Sequence, residues 1–522
     1  MSTTLRDFQV GVKLHGWLIE TSSKTRYYTN SQHNTYVYPA LLDRDAERWT
    51  DNPEEYSLIV KVLEQFGLGH EAVAKTVPTG RRTIDRELNY VEEIKSRTTT
   101  LKKIVPILDI VQNEEDRATF ADRFDKSQAM ILMPRLHPFA ISNIMVEDTK
   151  PIFWEYVLHR LGGAEPLPSN YRAPWQLQAE DYLQELDSAV TKWLQEHNID
   201  KLVRRSRAAT TVATLEAMHG KSSGLIEASD VAKQAAEDDK VEFWHRDLKP
   251  SQFLVDSEGV MRINDFGLSY MTLGEAEDSD LRTLSNLFSI GGTQLYFTPR
   301  MVQVMHHTDP GDGNRQLLSD ELASRLVSFR DLTSVEDSWA LAISGAVLYL
   351  HPSSPIHASD QETTLEFPFS GSFQNRLDRM YSQTYHEKTL GRFPWPLRCV
   401  LAALLVPCPD RGLSKAPPLR PDQQQTHRLL RSVLGYESLT LSRDAEQLVA
   451  SLLRKPESIT GLTLAEAVAT KFDSLADDAH EQRVVLLTDV AIGLACHTAR
   501  GQVHIRDQIE QTVAITGSGL VG

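Results

Sequence analysis

The stretch that decides the fold is Phe243–Tyr270, FWHRDLKPSQFLVDSEGVMRINDFGLSY. A short apolar run at its start gives way to a polar loop, and Phe253–Val255 then predicts a strand. The letters DSEG indicate a turn, after which Met261–Asn264 returns as the second strand of a hairpin. Two acidic side chains, Asp247 and Asp265, are therefore expected at the same end of a rigid scaffold.

Two carboxylates at one edge of a scaffold suit phosphoryl transfer. One orients the attacking hydroxyl, and the other holds a metal against the phosphates. The letters HRDLKP at His245–Pro250 resemble the catalytic loop of the protein kinase family, and DFG at Asp265–Gly267 resembles its magnesium motif. Both motifs stand at the spacing that the family uses. A structural loop of unrelated function would not explain the two together.

The resemblance implies a role for each matched residue. Asp247 would be the catalytic base, and Lys249 would neutralise the transferring phosphate. Asp265 would chelate Mg²⁺, and Arg246 could bind a phosphorylated activation segment. Lys249 also matches the serine/threonine branch of the family, so the implied acceptors are serine and threonine hydroxyls of proteins.

Further motifs follow in the family's order. The string GTQLYFTP at 292–299 resembles the end of the activation segment, which implies that Thr293 bonds Asp247 and Lys249. Asp337–Leu341 resembles the start of the buried helix that anchors the catalytic loop from below. The hydroxyls between the magnesium motif and Thr293 are candidate phosphate acceptors: Thr272, Ser279, Thr283, Ser285 and Ser289.

The nucleotide site is expected upstream. VAK at 73–75 resembles the strand whose lysine grips the α- and β-phosphates of ATP, and Glu87 is the expected ion-pair partner of Lys75. Lys61 is the rival lysine, and Lys75 is preferred because a helix that carries Glu87 follows it directly. Met133 is expected at the back of the adenine pocket, with an ordinary core methionine as the alternative.

Three departures from the family pattern stand out. Gln252 occupies the place of the second metal-binding asparagine; its amide oxygen could still bind Mg²⁺, with Mn²⁺ as the alternative metal. No GxGxxG precedes Lys75 at the usual distance, and the turn Glu20–Thr25 is the substitute considered. Arg300 replaces the glutamate that usually ends the activation segment, so it is expected either to pair with Glu457 or to stand unpaired on the surface.

The fold class implied is α+β, a two-lobed protein-kinase-like fold with a β-rich N-lobe and a mainly helical C-lobe. Residues 1–50 would form an N-terminal extension or extra N-lobe strands, 51–136 the N-lobe, 137–475 the C-lobe and 476–522 a C-terminal extension. Insertions at about 150–235 and 302–334 are expected to bind a regulatory partner. Sequence patterns predict strands at Tyr56–Phe66, Glu71–Val77, Ile104–Gln112 and Ala129–Leu136, and helices at Arg82–Ser96 and within Asp444–Phe472.

Composition narrows the protein class. The formal charge of −16 over 522 residues disfavours a nucleic-acid partner, which would require a basic surface. The longest apolar run, WALAISGAVLYL at 339–350, is too short to span a bilayer, and the N-terminus lacks an apolar signal core. The three cysteines are scattered, so neither a zinc module nor a disulfide framework is expected. A cytoplasmic protein without a membrane partner is the expectation.

Three functions remain open at this point. The leading one is an ATP- and Mg²⁺-dependent protein kinase that phosphorylates serine and threonine in protein substrates, including its own activation segment. The alternative is a pseudokinase that acts as an interaction or scaffold module with little catalysis. A small-molecule phosphotransferase of related fold is the third.

Overall fold

The structure is a computed structural model, and it describes most of the elements named above. The described residues are 11–20, 28–30, 35–66, 68–78, 82–97, 100–111, 127–138, 199–237, 241, 243–252, 254–255, 260–267, 269–271, 294–308, 336–350, 369, 371–408, 418–437, 440–472 and 479–497, in places by backbone alone. Two compact units divide the chain. The first comprises residues 1–138, 227–243 and 254–271, and the second comprises residues 139–226, 244–253 and 272–522.

The first unit is built on an antiparallel sheet. The strands of the chain are β1 (Val12–Leu14), β2 (Trp17–Ile19), β3 (Tyr28–Asn30), β4 (Thr35–Leu42), β5 (Glu71–Pro78), β6 (Asp109–Val111), β7 (Ser127–Pro134), β8 (His137–Pro138), β9 (Phe243–Trp244), β10 (Leu254–Val255), β11 (Met261–Arg262) and β12 (Tyr270–Met271). The main sheet has the order β1-β2-β4-β5-β7-β6, with β3 beside β4. Strands that precede residue 50 therefore share a sheet with β5.

Strand β5 lies in the middle of this sheet, between β4 and β7. Its side chains alternate, so Ala72 and Ala74 enter the hydrophobic core while Val73 and Lys75 point to the opposite face. The hairpin predicted around DSEG is confirmed, since β10 and β11 pair antiparallel with Leu254 opposite Arg262. The strand predictions for β5 and β7 are confirmed as well.

The helices are α1 (Glu47–Asp51), α2 (Pro53–Gln65), α3 (Arg82–Ser96), α4 (Ile199–Ala236), α5 (Pro299–Thr308), α6 (Glu336–Leu350), α7 (Phe373–Met380), α8 (Gln383–Leu390), α9 (Trp395–Leu404), α10 (Gln423–Val433), α11 (Arg443–Leu452), α12 (Gly461–Phe472) and α13 (His480–Cys496). Residues 227–236 of α4 belong to the first unit, and its earlier residues belong to the second. The described elements after β12 are all helical, as the sequence predicted up to residue 475. The fold is thus mixed, with an N-terminal antiparallel sheet and a helical C-terminal part.

The strand predicted at Tyr56–Phe66 is wrong, because this stretch lies in helix α2 and its C-terminal boundary. Pro53 stands in the first turn with acidic residues beside it, which is typical of a helix start. The buried residues Ile59, Val62 and Leu63 recur at helical spacing. The density of β-branched residues suggested a strand, but the apolar period of three and four decides the structure.

The strand predicted at Ile104–Gln112 is too long. Among its described residues, 104–111, only Asp109–Val111 (β6) form regular strand. Pro106 has no N–H to donate to a ladder, so the pairing is interrupted before β6. Ile104 instead forms a single parallel bridge with Ile263. In the described part of the chain, no helix combines the length and apolar character needed to cross a bilayer.

Candidate active site

The catalytic-loop motif lies in the second unit and is held by helix α6. The Asp337 carboxylate accepts hydrogen bonds from the backbone N–H of His245 at 2.9 Å and of Arg246 at 2.8 Å. It also accepts one from the side chain of Gln423 at 2.9 Å. Every residue of α6 is buried. The helix expected to anchor the loop therefore does so, through one buried carboxylate.

The backbone of Arg246 is strained. Its φ is +66°, in the left-handed region that residues other than glycine avoid. Such a conformation costs about 1–3 kcal/mol and persists only when its surroundings enforce it. Here the hydrogen bonds from the N–H groups of His245 and Arg246 to Asp337 enforce this conformation. A strained backbone at this position indicates a loop that holds a particular geometry at a cost in stability.

Asp247 is well buried and already has partners in its own loop. Its Oδ2 accepts from the Lys249 ammonium at 2.7 Å and from the Gln252 amide at 3.2 Å. Tyr296 lies near enough for the charge of Asp247 to raise the Tyr296 pKa, to which burial contributes most. This phenol therefore stays neutral beside the carboxylate. The predicted members Asp247, Lys249 and Gln252 are brought together.

Lys221 is a contributor that the sequence did not reveal. It is fully buried on α4, and its ammonium donates to the backbone carbonyl of Gln252. A buried ammonium normally needs such oxygen partners. The residue stands in a polar helical stretch without a recognisable motif, so no local pattern could have indicated it.

The magnesium motif lies in the first unit, directly after β11. The Lys75 ammonium contacts the Asp265 carboxylate at 2.7 Å, while the Asp265 side chain stays 35% exposed. Asp265 has a φ of +68°, the second strained residue within a predicted motif. The rival lysine Lys61 is exposed on α2. Lys75 is therefore the one of these two lysines that meets Asp265.

Aromatic packing fixes the residue after Asp265. Phe266 is buried and packs edge-on against Tyr90 of α3 at 5.2 Å and against Phe243 at 6.1 Å, both between ring centroids. Tyr90 and Phe243 stack on each other at 5.0 Å. The Tyr90 hydroxyl donates to the carbonyl of Ala228. Helix α3, the magnesium motif and the last part of α4 thus share one aromatic cluster.

Glu227 is a second contributor without a sequence signal. Its carboxylate accepts from the backbone N–H groups of Lys102, Lys103 and Ile104 at 2.6–2.9 Å. Lys103 in turn accepts from the N–H of Ile263 at 2.7 Å, two residues before Asp265. Glu227 therefore positions the strand that leads into the magnesium motif.

The roles predicted for several other residues stay predictions. Thr293 and the hydroxyls from Thr272 to Ser289 lie outside the described residues, as does the side chain of Glu87 on α3. Met133 is buried on β7 opposite Val73. Asp247 and Asp265 belong to different units, so their juxtaposition also stays a prediction.

Both expectations for Arg300 are wrong. The residue is buried in the first turn of α5, not on the surface. Glu457 is exposed, and its carboxylate is not paired with Arg300; its backbone carbonyl accepts from Arg398. The charge of Arg300 instead acts on Arg420, whose pKa burial and this neighbour lower to about 10.

The residue chemistry fits a magnesium nucleotide. Mg²⁺ prefers oxygen ligands and is commonly bound by one or two carboxylates together with substrate phosphates. In the first unit, Asp265 offers a partly exposed carboxylate, while the amide oxygen of Gln252, in the second unit, stays a predicted ligand. Lys75 offers an ammonium that a phosphate could engage. Among the described residues, no group of three or more His, Cys, Asp or Glu side chains could hold a metal ion by itself.

No protein-family model matches the chain. A stretch of 68 residues, 13% of the chain, is 43% identical to ribosomal protein S6 kinase alpha-2 of Mus musculus and spans 8% of that relative. A stretch of 73 residues, 14% of the chain, is 33% identical to dual specificity protein kinase zak2 of Dictyostelium discoideum and spans 11% of it. A probable serine/threonine-protein kinase of the same organism is 39% identical over 59 residues, 11% of each chain. Over this short stretch the chain is related to protein kinases.

Proposed function

We propose that the chain is a protein kinase that transfers the γ-phosphate of ATP to serine and threonine hydroxyls of proteins. The observation that carries the proposal is the loop on Asp337, in which a buried carboxylate fixes two consecutive backbone N–H groups and enforces a strained Arg246. A loop held so firmly presents Asp247 in one orientation. Positioning of this kind provides much of the rate enhancement in phosphoryl transfer.

In this proposal Asp247 orients the substrate hydroxyl and accepts its proton as the oxygen attacks the γ-phosphorus. The bond from that phosphorus to the β,γ-bridging oxygen breaks, and ADP leaves with the electron pair. Lys249, at 2.7 Å from Asp247, is placed to neutralise charge on the transferring group. Thr293 would complete this arrangement by bonding both residues.

Asp265 and Gln252 would hold Mg²⁺, or Mn²⁺ as the alternative metal. The metal would supply charge neutralisation for the phosphates. Lys75 would bind the α- and β-phosphates, with Glu87 as its partner when nucleotide is bound and Met133 at the back of the adenine pocket. The ion pair between Lys75 and Asp265 fits this scheme. A bound phosphate would compete for the Lys75 ammonium, and a bound metal would compete for the Asp265 carboxylate.

The remaining features of the proposal follow from the same reading. Residues 51–136 would form the N-lobe and residues 137–475 the C-lobe of a kinase fold, and Arg246 would bind a phosphorylated residue between Thr272 and Ser289. The insertions would take a regulatory partner. A cytoplasmic setting without a membrane partner is part of the proposal, and the acidic composition disfavours a nucleic-acid partner.

Incubation of the purified full chain with γ-labelled ATP and Mg²⁺ tests the proposal. We expect label on the chain or on a generic protein substrate, and a loss of about 10²-fold or more in Asp247→Asn. Asp51→Asn, an exposed residue at the end of α1, is the matched control and should keep the wild-type rate. Equal labelling in Asp247→Asn would contradict the proposal, as would absent labelling in a chain that binds Mg²⁺–ATP.

One observation favours the alternative, a pseudokinase that acts as a scaffold. Lys249 and Gln252 both donate to the same oxygen of Asp247, the group that must accept a proton in the active form. Gln252 is also the residue that departs from the family pattern. Nucleotide binding without transfer, unchanged by Asp247→Asn, is the result that this alternative predicts.

A further inference from the structure

A groove opens in the first unit between helices α2 and α3. Its volume is about 510 Å³, within the range of roughly 300–1,000 Å³ that is typical of ligand pockets. Five apolar residues line it: Leu58, Ile59, Val62, Ile107 and Leu108. The groove is thus lined by two helices and by the segment that precedes β6. It is separate from Lys75 and Asp265, which do not line it.

Leu58 gives this groove an exposed apolar side chain. Its side chain is 40% exposed, one of three large apolar residues that are exposed in the described part of the chain. Its neighbours Ile59 and Val62 are buried and belong to the core of the sheet. An exposed leucine continuous with a core is an anchor point for an apolar side chain of a partner.

The rim of the groove is acidic. It carries Glu54, Glu55 and Glu92, with Lys95 as the one basic residue among its lining residues. The Lys95 ammonium is already engaged, at 2.9 Å from Glu55 and 2.9 Å from the buried Asp109. Its positive charge is therefore offset inside the protein.

A fourth charge completes that internal cluster. Arg48 contacts Asp109 at 2.6 Å and Glu55 at 3.0 Å. Two cations thus face two carboxylates, and the cluster is neutral in sum. Glu54 and Glu92 are exposed at the rim, and the formal charge of the lining residues, three glutamates and one lysine, is negative.

We propose that this groove binds a helical peptide segment of a partner protein, with leucine-like anchors at helical spacing flanked by lysine or arginine. Apolar anchors on one face of a helix suit a groove between two helices. Basic flanks complement the rim and select against acidic segments. A second copy of the chain is a poorer occupant, because the rim is acidic and the chain carries a net charge of −16.

The test uses three labelled eight-residue peptides and the full chain at about 0.15 M salt, where unspecific attraction between charges is screened. The probe has the sequence KLLKKLLK, the first control KSSKKSSK and the second ELLEELLE. Fluorescence anisotropy should detect saturable binding of the probe and at least tenfold weaker binding of both controls. Hydrogen exchange should show protection by the probe at residues 53–66 and 88–97.

Variants locate the site. Leu58→Asn removes the anchor without a change of charge and should weaken binding of the probe about tenfold. Glu54→Gln should weaken it about two- to fivefold, as expected for one exposed charge pair. Glu64→Gln is the matched control, since Glu64 is exposed on α2 but does not line the groove, and its affinity should stay within twofold of wild type.

Several outcomes would overturn the proposal. These are no binding of the probe, equal binding of KSSKKSSK, unchanged affinity in Leu58→Asn, or protection confined to other parts of the chain. Self-association that depends on concentration and disappears in Leu58→Asn would identify a second copy as the occupant and would overturn it too. None of these measurements needs phosphoryl transfer, so the result is independent of the proposed function.

Discussion

Two adjacent carboxyl groups at the start of α6 have opposite surroundings. Asp337 accepts hydrogen bonds from three N–H groups. Burial raises the pKa of Glu336, and the charge of Asp337 adds to this shift, while Arg246 and Arg420 oppose it; the net value is about 7. Asp337 therefore holds the catalytic loop, and its neighbour Glu336 holds a proton to near neutral pH.

The pKa of Glu336 makes stability depend on pH. Because the folded value of about 7 exceeds the unfolded value of 4.5, the folded chain binds the proton more tightly. Stability should therefore fall as pH rises from 4.5 to 7, by about 3 kcal/mol in all. Glu336→Gln stays neutral, so its stability relative to wild type should improve by about that amount between pH 4.5 and pH 8.

Urea unfolding midpoints at pH 4.5, 6, 7 and 8 measure this effect. Glu446→Gln, at an exposed position on α11, serves as the control and should follow the wild-type curve. A constant difference between Glu336→Gln and wild type across this range would contradict the assigned pKa.

Among the helices and strands, the sequence predicted those whose apolar residues recur with a regular local period. Helix α3 begins and ends where its apolar pattern does, and β5 and the β10–β11 hairpin follow from alternation and a turn. Helix α2 was predicted as a strand because its β-branched residues were given more weight than the helical spacing of its apolar residues. The two motifs could be found because each is continuous in sequence.

Long-range contacts could not be predicted from one sequence. Glu227 meets residues more than 120 positions earlier in the chain, and Lys221 meets a carbonyl 31 positions later. Neither residue has a local sequence signature, because its partners are backbone groups. Backbone N–H and carbonyl groups occur all along the chain, so the sequence does not mark which one will be the partner. The same reason explains Arg300, whose burial depends on how α5 packs and not on its neighbours in sequence.

Glu227 is expected to hold the segment of residues 102–104, and through it the strand before Asp265. Glu227→Gln keeps the shape but loses the charge that strengthens three N–H contacts. We expect a loss of about 1–3 kcal/mol in the free energy of unfolding. Faster hydrogen exchange at residues 102–104 should accompany it.

Asp230→Asn provides the control for Glu227→Gln, because Asp230 is exposed on the same helix. Its unfolding free energy and exchange rates should match those of wild type. Unchanged exchange at residues 102–104 in Glu227→Gln would show that the carboxylate does not hold this segment.

Two helical glycines permit a comparison of close packing. A Cβ at Gly461 would lie 2.5 Å from the backbone carbonyl oxygen of Leu405, whereas at Gly345 it would meet the flexible side chain of Met218. Backbone cannot yield cheaply, so Gly461→Ala should cost about 1–3 kcal/mol of stability. Gly345→Ala should cost less, because Met218 can move and alanine favours a helix by about 1 kcal/mol. Thermal unfolding of both variants tests this order, and a reversed order would contradict it.

On the scale of the whole molecule, the proposed chemistry is divided between the two units. Lys75 and Asp265, proposed for phosphate and metal, lie in the first. Asp247 and Gln252 lie in the second, on the loop that Asp337 holds. Binding and transfer should therefore separate by mutation, since removal of a phosphate ligand and removal of the base act on different steps.

Mg²⁺–ATP should stabilise the folded chain, because a ligand that binds only the native state adds about 2.7 kcal/mol at a hundredfold excess over its Kd. Lys75→Met should lose most of this gain, since the proposed phosphate ligand is gone, while Asp247→Asn should keep it and lose transfer alone. Lys61→Met, at an exposed position on α2, is the control and should respond like wild type. Thermal unfolding with and without Mg²⁺–ATP measures the gain for each variant. An equal gain in Lys75→Met would place the α- and β-phosphates elsewhere, because the ammonium assigned to these two phosphates would then contribute nothing.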